Sequence, residues 1–318
     1  VLNLGLNQAT LHGLIALTDN ERFGWDAYRR FIAMFGRIVM EVSPRVAQGA
    51  DGTHAEYNRF DDVLDAVKEA RGAASDADLD VAALKEVVER YHGIIREQTG
   101  REFPEDPLEQ LDLAIKAVFA SWFGQRAGDY RKNQHIADDL GTAVNVVTMV
   151  YGNMGDDSGT GVAFTRNTID GRKELQGEFL PNAQGEDVVA GVRTPIEIAE
   201  MRQLWPQVYD DFVAIGQQLE QHYRDVQDLE FTVERGRLYM LQTRSAKRTA
   251  AAAVKIAADM VDEGMISKEE AIARIEPTQV DQLLRDQFDL DALSTAPRIA
   301  KGLNASPCLL YTSPSPRD

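Results

Sequence analysis

The sequence predicts an α+β fold, with helices towards both ends of the chain and strands between them. Apolar residues recur at helical spacing in segments up to residue 122 and again after residue 250. Residues 144–180 and 227–244 are instead rich in β-branched residues or alternate between apolar and polar ones, which is typical of strands. With 318 residues, the chain can bury one large core or two modest ones.

Two helices are predicted in the first hundred residues. Thr18 and Asp19 lead into the first, and the second covers about residues 82–97. Residues 49–80 are polar and predict at most one short helix, around residues 60–70. The apolar residues at helical spacing, which we expect in a core, are Tyr28, Phe31, Ile32, Phe35, Ile38 and Val39 in the first helix and Leu84, Val87, Val88, Tyr91, Ile94 and Ile95 in the second.

A third helix has a well-marked start. Asp106 can cap its N-terminus, Pro107 suits the first helical position, and Glu109 would complete a capping box. The side of this helix predicted to be buried consists of Leu108, Leu111, Ile115, Val118, Phe119 and Trp122.

From residue 144 the pattern changes to that of strands. Residues 144–151 are β-branched and almost continuously apolar, which predicts a buried strand. Residues 161–167 and 174–180 predict two more strands, joined by a turn at residues 168–171.

Helices are predicted again on both sides of the last strands. A helix expected after Thr194 should be broken at Pro206, and another covers about residues 207–224. Beyond residue 244, an alanine-rich helix covers about residues 250–260, and Ser267 opens a further helix with a capping box.

Residues 227–244 predict a β-hairpin whose two faces differ. The turn contains Gly236, which can close a three-residue loop. Strand side chains alternate between faces, so odd and even positions separate. The odd positions are apolar and suit a core: Leu229, Phe231, Val233, Tyr239 and Leu241. The even positions near the open end are polar and project together from the other face: Asp228, Glu230, Gln242 and Arg244.

Two carboxylates, an amide and a guanidinium on one face suit a magnesium-bound polyphosphate. Carboxylate and amide oxygens can bind Mg²⁺, and a guanidinium can bind phosphate through two parallel hydrogen bonds. The alternative is a half-exposed hairpin with a cross-strand ion pair. The pattern alone leaves both interpretations open.

Composition excludes several classes of partner. The net charge of −17 and the pI near 4.8 argue against nucleic acid or an anionic membrane as the main partner, and no apolar run reaches membrane-spanning length. An anionic ligand would need a local basic cluster, such as Arg244, Lys247 and Arg248. Cys308 is the only cysteine, which excludes an intramolecular disulfide. We expect a reducing, cytoplasmic location, with an organelle not excluded.

A glycine-rich segment joins the strands predicted before and after it. Gly152, Gly155, Gly159 and Gly161 would let backbone N–H groups approach phosphates closely. The segment is not a Walker A motif, and the alternative is a long flexible hairpin. Nearby candidates are Arg166 as a phosphate or partner-domain contact and Glu178, Glu186 and Asp187 as acids close to a metal, although each also suits a solvated surface.

Long strings of residues resemble one enzyme family. GTAVNVVTMVYGNMGDDSGTGVAFTRNTIDGRKELQGEFLPNAQGEDVVAGVRTP (residues 141–195) and DLEFTVERGRLYMLQTRSAKRTAAAAVKIA (residues 228–257) are similar to the pyruvate, phosphate dikinase family. VLNLGLN at the start and FPEDPLEQLDLAIKAVFASW (residues 103–122) resemble the same family. The resemblance covers about residues 1–307.

The resemblance implies an incomplete ATP-grasp fold with a helical insert and a C-terminal helical connector. ATP would lie between two α+β lobes. The tail CLLYTSPSPRD matches nothing before it and is interpreted as foreign sequence. The implied parts are residues 1–18 and 105–150 (a partial first lobe), 19–104 (the insert), 151–247 (the second lobe with the metal and phosphate hairpin), 248–300 (the connector), 301–307 (the start of a phosphohistidine domain) and 308–318 (the foreign tail).

The same resemblance implies roles for individual residues. Asp228, Glu230 and Gln242 would hold Mg²⁺ against the ATP phosphates, and Arg244 would contact the terminal phosphates as the catalytic residue. The groups expected along the nucleotide are Thr148, Met149, Val150 and Tyr151 beside the adenine and Gly159, Thr160 and Gly161 near the phosphates. Thr168 stands where the family usually has proline, which would loosen that turn.

The reaction implied by the family is a double phosphoryl transfer. ATP pyrophosphorylates a histidine, phosphate accepts the γ-phosphoryl group, and the phosphohistidine then converts pyruvate to phosphoenolpyruvate. The implied partners are ATP and the phosphohistidine and pyruvate domains of a homodimeric enzyme. A lysine and an arginine expected before Val1, the acceptor histidine and the pyruvate barrel are not in this sequence, so we expect no turnover by this chain alone. The alternatives are a fragment of phosphoenolpyruvate synthase and a non-catalytic nucleotide-binding domain.

Overall fold

The computed structural model describes residues 1–48, 54–134, 136–190, 193–284 and 297. The chain divides into two compact units, Val1–Met149 and Val150–Asp318, which are described separately. The mixture of helices with an antiparallel sheet confirms the α+β class. Within these described ranges, no helix has the length and apolar character needed to cross a membrane.

The first unit is mainly helical, as its periodicity predicts. The observed elements are α1 (Gln8–Thr18), α2 (Glu21–Ile38), β1 (Arg45–Gln48), β2 (His54–Tyr57), α3 (Arg59–Arg71), α4 (Val81–Thr99), α5 (Pro107–Ser121) and α6 (Gln125–Asn133). Helices α2, α3 and α4 confirm the predictions, although Asn20 rather than Thr18 or Asp19 caps α2. The antiparallel hairpin of β1 and β2 was not predicted.

Aromatic side chains from α2 and α4 form the core of this unit. Tyr28, Phe31 and Phe35 of α2 and Tyr91 of α4 are all buried. The Phe31 and Phe35 rings each lie 5.4 Å from the ring of Phe103, in edge-to-face geometry. Such pairs add stability beyond the area they bury. Ile38, which was predicted to be in the stripe, is instead exposed at the end of the helix.

The predicted buried side of α5 is wrong. Asp106 caps the helix as expected, without the capping box, but Leu108 is 73% exposed and Phe119 is 47% exposed. The buried positions are Ala114 and Gln110. The Gln110 amide donates to two backbone carbonyl oxygens and accepts from a third residue's N–H, which ties α5 to the start of the chain. The buried side of α5 is therefore held by the hydrogen bonds of Gln110 and not by the predicted row of apolar side chains.

The strand predicted at residues 144–151 is absent. The segment has no regular structure, and Val146 and Val147 are 66% and 82% exposed. A strand needs ladder partners. In the described part of Val1–Met149, the only strands are β1 and β2, which pair with each other. The apolar run pairs with neither of these strands.

A buried carboxylate in α2 makes the first unit sensitive to acid. Asp26 forms ion pairs with Arg29 at 2.7 Å and Arg30 at 3.0 Å. Burial alone would raise the pKa of Asp26, but the charges of Arg29, Arg30 and Arg22 outweigh it and lower the pKa from 3.8 to about 2. Since the folded-state pKa lies below the unfolded one, this carboxylate stabilises the fold above about pH 4.

We expect the unit to lose about 2 kcal/mol of that stabilisation as the pH falls from 4 to 2. Urea unfolding at a series of pH values, followed by the fluorescence of Trp25 with the other two tryptophans replaced by phenylalanine, measures the loss. Asp26→Asn should be less stable at pH 7 and show a flatter pH dependence below pH 4. An unchanged pH dependence would contradict the prediction.

The second unit is built on a five-stranded antiparallel sheet. Its strands, in the order β5-β4-β3-β6-β7 across the sheet, are β3 (Gly159–Phe164), β4 (Gln176–Pro181), β5 (Ile196–Glu197), β6 (Gln227–Glu234) and β7 (Arg237–Ser245). The helices are α7 (Gly185–Ala190), α8 (Met201–Leu204), α9 (Pro206–Tyr223), α10 (Ala250–Asp262), α11 (Lys268–Arg274) and α12 (Pro277–Leu283). The strands predicted at 161–167, 174–180 and in the hairpin are confirmed within a few residues.

Helix α9 covers one face of this sheet. Phe212 of α9 and Phe231 of β6 are fully buried, with ring centroids 4.5 Å apart. The predicted break at Pro206 is confirmed, because α8 ends at Leu204 and Pro206 occupies the first position of α9. The helix start predicted after Thr194 is wrong. That segment pairs with β4 as the short strand β5.

The turn between β3 and β4 is well ordered by hydrogen bonds. The Asn167 side chain accepts from the N–H groups of Ile169 and Asp170, and the Thr168 N–H donates to Gln176 Oε1 at 2.8 Å. A proline at position 168 could not make the last of these bonds. Thr168 therefore does not loosen the turn, contrary to the expectation.

After the sheet, α10 and α11 confirm the predicted helices. Ser267 caps α11 in the expected capping box with Glu270. The boundaries assigned to the lobes, insert and connector stay predictions. Residues 301–307 and 308–318 lie outside the described residues, as does most of 285–300.

Candidate functional site

The hairpin of β6 and β7 turns over two residues, not three as predicted. Glu234 pairs with Arg237, so the turn consists of Arg235 and Gly236. Both have positive φ, at 50° and 73°. Positive φ at both turn residues is type I′ geometry, which suits the right-handed twist of the strands. With this turn, the core residue Val233 of β6 pairs with Leu238, so the residues of β7 that face the core next to the turn have even numbers.

A β-bulge at Leu241 restores the original alternation, so that beyond it odd positions of β7 face the core again. Phe231 pairs with Met240, whereas Glu230 pairs with Gln242, so the register shifts by one residue between them. Two residues on one strand then lie opposite one on the other, which moves every later side chain to the other face. The two-residue turn and the bulge cancel each other at the open end of the hairpin.

The two-residue turn also changes which side chains of β7 pack in the core. Leu238 and Met240 contact the core, while Leu241 is 54% exposed. The predicted core positions Tyr239 and Leu241 are therefore wrong, because the turn is shorter than expected. The predicted core positions on β6 are confirmed.

The four polar residues predicted to lie together do so at the open end. Glu230 pairs with Gln242 and Asp228 with Arg244, two residues further along. Arg244 Nε donates to Asp228 Oδ2 at 2.7 Å, and Arg244 Nη2 lies 4.0 Å from Glu230 Oε1. The side chains of Asp228, Glu230 and Arg244 are 13%, 39% and 60% exposed. We call these four residues the polar quartet.

The donor set of the polar quartet fits a Mg²⁺ ion that also binds phosphate. Across the described parts of the chain, no group of three or more His, Cys, Asp and Glu residues could hold a metal. Two carboxylates and the Gln242 amide supply fewer oxygens than octahedral Mg²⁺ needs, so they cannot complete its coordination shell by themselves. Mg²⁺ is usually held by one or two carboxylates with substrate phosphates and water in the other positions. The cross-strand ion pair of the alternative interpretation is present, and binding of Mg²⁺ and polyphosphate by these residues stays a prediction.

Glu178 lies on the same face as the polar quartet but further across the sheet. It pairs with Val162 of β3, and Val162 pairs with Glu230 on its other side. Two strand spacings, about 10 Å, thus separate the backbones of Glu178 and Glu230. Of the other two acids, Asp187 accepts the N–H of Gln184, and the Glu186 side chain lies outside the described residues.

The glycine-rich loop, residues 152–158, lies at the closed end of the hairpin. The Arg235 N–H donates to Ser158 Oγ at 3.0 Å, and the Gly236 N–H donates to the Asp157 carbonyl oxygen at 2.7 Å. Five residues of strand separate Arg235 from Glu230, which is about 17 Å. The loop is therefore joined to the opposite end of the hairpin from the polar quartet.

Gly159, Thr160 and Gly161, predicted to lie near the phosphates, begin the central strand β3. A Cβ on Gly161 would lie 2.7 Å from Phe179 Cβ and 2.8 Å from Phe231 Cζ. Thr160 is 4% exposed, and its hydroxyl donates to the Phe231 carbonyl oxygen at 3.0 Å. Packing within the sheet accounts for these small residues. Their role at the phosphates stays a prediction.

The segment predicted to lie beside the adenine spans the boundary between the two units. Thr148 is exposed, whereas Met149, Val150 and Tyr151 are half-buried. The Tyr151 N–H donates to Glu234 Oε2 at 2.7 Å. Burial, and then the charge of Glu234, raise the pKa of the Tyr151 phenol to about 12. The contact of this segment with adenine stays a prediction.

Arg166 is not a ligand contact, contrary to the prediction. Its side chain is fully buried and pairs with Glu220 at 2.6 Å and Glu263 at 2.8 Å. Burial opposes its charge, but the hydrogen bonds to Glu220 and Glu263 outweigh that effect and raise the pKa of Arg166 above its usual range. Arg248 likewise pairs with Asp225 at 2.7 Å. Of the predicted basic cluster, Arg244 is the member that belongs to the polar quartet.

Comparison with known proteins identifies the family. A family model described as "Pyruvate phosphate dikinase, AMP/ATP-binding domain" matches residues 2–209 and 197–265. The chain belongs to the pyruvate, phosphate dikinase family. The matched region is the AMP/ATP-binding domain of that family, which confirms the resemblance seen in the sequence.

Named relatives agree with this assignment. The chain is 50% identical over 308 residues to "Pyruvate, phosphate dikinase" of Clostridium symbiosum, covering 96% of the chain and 34% of the relative. It is 50% identical to "Pyruvate, phosphate dikinase 1, chloroplastic" of Arabidopsis thaliana and 49% identical to the protein of the same name from Zea mays, covering 96% of the chain and 30% and 31% of those relatives. The chain spans about a third of the length of these relatives.

These relatives bear on two of the sequence-based expectations. They carry the dikinase name, which favours the dikinase interpretation over the phosphoenolpyruvate synthase alternative. The plant relatives are named as chloroplastic, so the expected cytoplasmic location stays a prediction.

Proposed function

We propose that this chain supplies the magnesium- and polyphosphate-binding side of the ATP site of a pyruvate, phosphate dikinase. The observation that carries the proposal is the polar quartet, which lies on one face of a hairpin in a chain that matches an AMP/ATP-binding domain. In this proposal residues 151–247 form the second lobe of an ATP-grasp fold.

The roles of the polar quartet follow from its chemistry. Asp228, Glu230 and Gln242 would offer oxygens to Mg²⁺, and Arg244 would bind the terminal phosphates. The exposed Arg244 guanidinium now pairs with Asp228. An arriving polyphosphate can take over this guanidinium, which leaves the Asp228 carboxylate for the metal.

Bound Mg²⁺ would neutralise phosphate charge, while the protein groups hold the phosphates in place. Positioning and charge stabilisation supply most of the rate of phosphoryl transfer. The full reaction we propose converts ATP, phosphate and pyruvate to AMP, diphosphate and phosphoenolpyruvate through a phosphohistidine. Its other partners would be the phosphohistidine and pyruvate domains of a homodimeric enzyme. For this chain alone we expect weak binding of Mg-ATP without formation of phosphoenolpyruvate.

Substitutions within the polar quartet should weaken Mg-ATP binding. Glu230→Gln removes a metal-facing charge at constant size, and Arg244→Ala removes the guanidinium. A hydrogen bond to a charged group contributes about 1.5–3 kcal/mol, so we expect the Kd for Mg-ATP to rise about tenfold to a hundredfold in each variant. Isothermal titration calorimetry of the purified chain measures the change.

Two matched variants separate a local effect from a general loss of charge. Glu197→Gln removes an exposed carboxylate from the edge strand of the same sheet, and Arg237→Ala removes a guanidinium from the closed end of β7. Both should bind Mg-ATP as the parent does. The proposal fails if the parent gives no heat above dilution, or if all four variants bind alike.

A further inference from the structure

Two hydrogen bonds donated by backbone N–H groups join the hairpin turn to the glycine-rich loop. Both N–H groups of the turn, those of Arg235 and Gly236, are donated to the loop, to Ser158 Oγ and to the Asp157 carbonyl oxygen. A type I′ turn normally offers such groups to water. Here the last two residues of the loop accept them.

Ser158 connects three segments of the second unit. Its side chain is completely buried. The hydroxyl accepts from Arg235 and donates to Asp157 Oδ1 at 3.1 Å, while the Ser158 carbonyl oxygen accepts the Asn182 N–H at 2.7 Å. The turn, the loop and the residue that follows β4 therefore meet at this serine.

Glu234 holds the other end of the loop to the same hairpin. Its carboxylate accepts the N–H of Tyr151, directly before the loop. At the same end, the Gly152 carbonyl oxygen accepts the Ala183 N–H at 2.8 Å. Both ends of the loop are thus bonded to β6 or its turn and to the chain that follows β4.

We propose that Ser158 and Glu234 are positioning residues for the nucleotide site. They fasten the glycine-rich loop to one end of the hairpin whose other end carries the polar quartet. This proposal rests on the proposed function. Strand β6 joins the two ends and is hydrogen-bonded on both sides, to β3 and to β7, so the placement of the loop relative to the metal-binding groups is set before nucleotide binds. Ordering the loop in advance lowers the entropic cost of binding.

Loss of either side-chain contact should weaken nucleotide binding without any loss of a nucleotide contact. In Ser158→Ala the Arg235 N–H loses its acceptor, and in Glu234→Gln the Tyr151 N–H loses a charged one. We expect the Kd for Mg-ATP to rise about five- to tenfold in each. Isothermal titration measures the Kd, and hydrogen exchange of the peptides that contain residues 151–158 and 235–236 should become faster.

Arg235→Asn is the matched control. It changes the side chain of the same turn but keeps the backbone N–H that Ser158 accepts, and asparagine tolerates the left-handed conformation required there. Its Kd and its hydrogen exchange should equal those of the parent. Circular dichroism verifies that each variant is folded, and Glu234→Gln tests the proposal even if Ser158→Ala does not fold.

The outcomes separate this proposal from the one on which it rests. If the parent does not bind Mg-ATP, the proposed function fails, and the positioning role fails as well because it depends on that function. If the parent binds Mg-ATP and both variants bind it as tightly as the parent does, only the positioning role is overturned. A purely structural contact would lower the Tm of the variants while leaving the Kd unchanged, which also counts against the proposal.

Discussion

Replacing Arg166 by methionine should lower the free energy of unfolding of the second unit by about 3–5 kcal/mol. The guanidinium is fully buried between two carboxylates, and Glu220 is only 7% exposed. Removing the cation leaves the Glu220 charge in an environment that cannot solvate it. The effect should be large because the cost of an uncompensated buried charge exceeds the net contribution of the ion pair itself.

Urea unfolding, followed by the fluorescence of Trp205 with Trp25 and Trp122 replaced by phenylalanine, would measure the loss. Trp205 is the only tryptophan among residues 150–318. The matched control is Arg172→Met, since Arg172 pairs with Asp170 while its side chain stays 61% exposed. That change should cost less than about 1 kcal/mol. In the double variant Arg166→Met, Glu220→Gln, part of the loss should be recovered, and a simple sum of the two single effects would contradict the explanation.

The Arg166 cluster shows which contacts sequence reasoning could not find. Glu220 lies 54 residues and Glu263 97 residues from Arg166, on two different helices or their ends. No periodicity relates the three positions, so a buried arginine and an exposed one look alike in the sequence. The prediction that Arg166 contacts a ligand was wrong for this reason.

The hairpin illustrates the opposite case. Alternation of polar and apolar residues predicted that Asp228, Glu230, Gln242 and Arg244 share a face, and their pairing confirms it. The turn type was wrong, because Arg235 takes a left-handed conformation that is rare for arginine. The bulge at Leu241 compensated for it. The unexpected turn and the unexpected bulge each shift the alternation of β7 by one residue, so their effects cancel at the open end. There the apolar side chains again face the core and the polar ones the other side.

Helices with an internal apolar stripe were predictable, whereas burial that depends on distant partners was not. The stripes of α2 and α4 pack against each other within one unit. Apolar residues of α5 and of residues 144–149 are patterned too, but several of them are exposed in that unit, among them Leu108, Phe119 and Val147. A pattern therefore predicts which face could be buried, and the presence of a partner decides whether it is.

Gly161→Ala should destabilise the second unit by about 3 kcal/mol, at the upper end of the usual cost of overpacking. A Cβ there would lie 2.6 Å from the Glu178 carbonyl oxygen, 2.7 Å from Phe179 Cβ and 2.8 Å from Phe231 Cζ. Both phenylalanines are fully buried, so neither side chain has room to move aside. The carbonyl oxygen belongs to the neighbouring strand, and moving it would distort the ladder of β3 and β4.

The matched control is Gly216→Ala, in the interior of α9 and packed against the same sheet. A Cβ there would have no heavy atom closer than 3.6 Å, which is ordinary contact. Alanine in a helix interior should raise stability by roughly 0.5–1 kcal/mol. Urea unfolding and Mg-ATP titration of both variants distinguish the two roles considered for Gly161. If Gly161→Ala keeps the stability of the parent and loses only affinity for Mg-ATP, the packing explanation is wrong, and the close approach of backbone to phosphate accounts for the glycine instead.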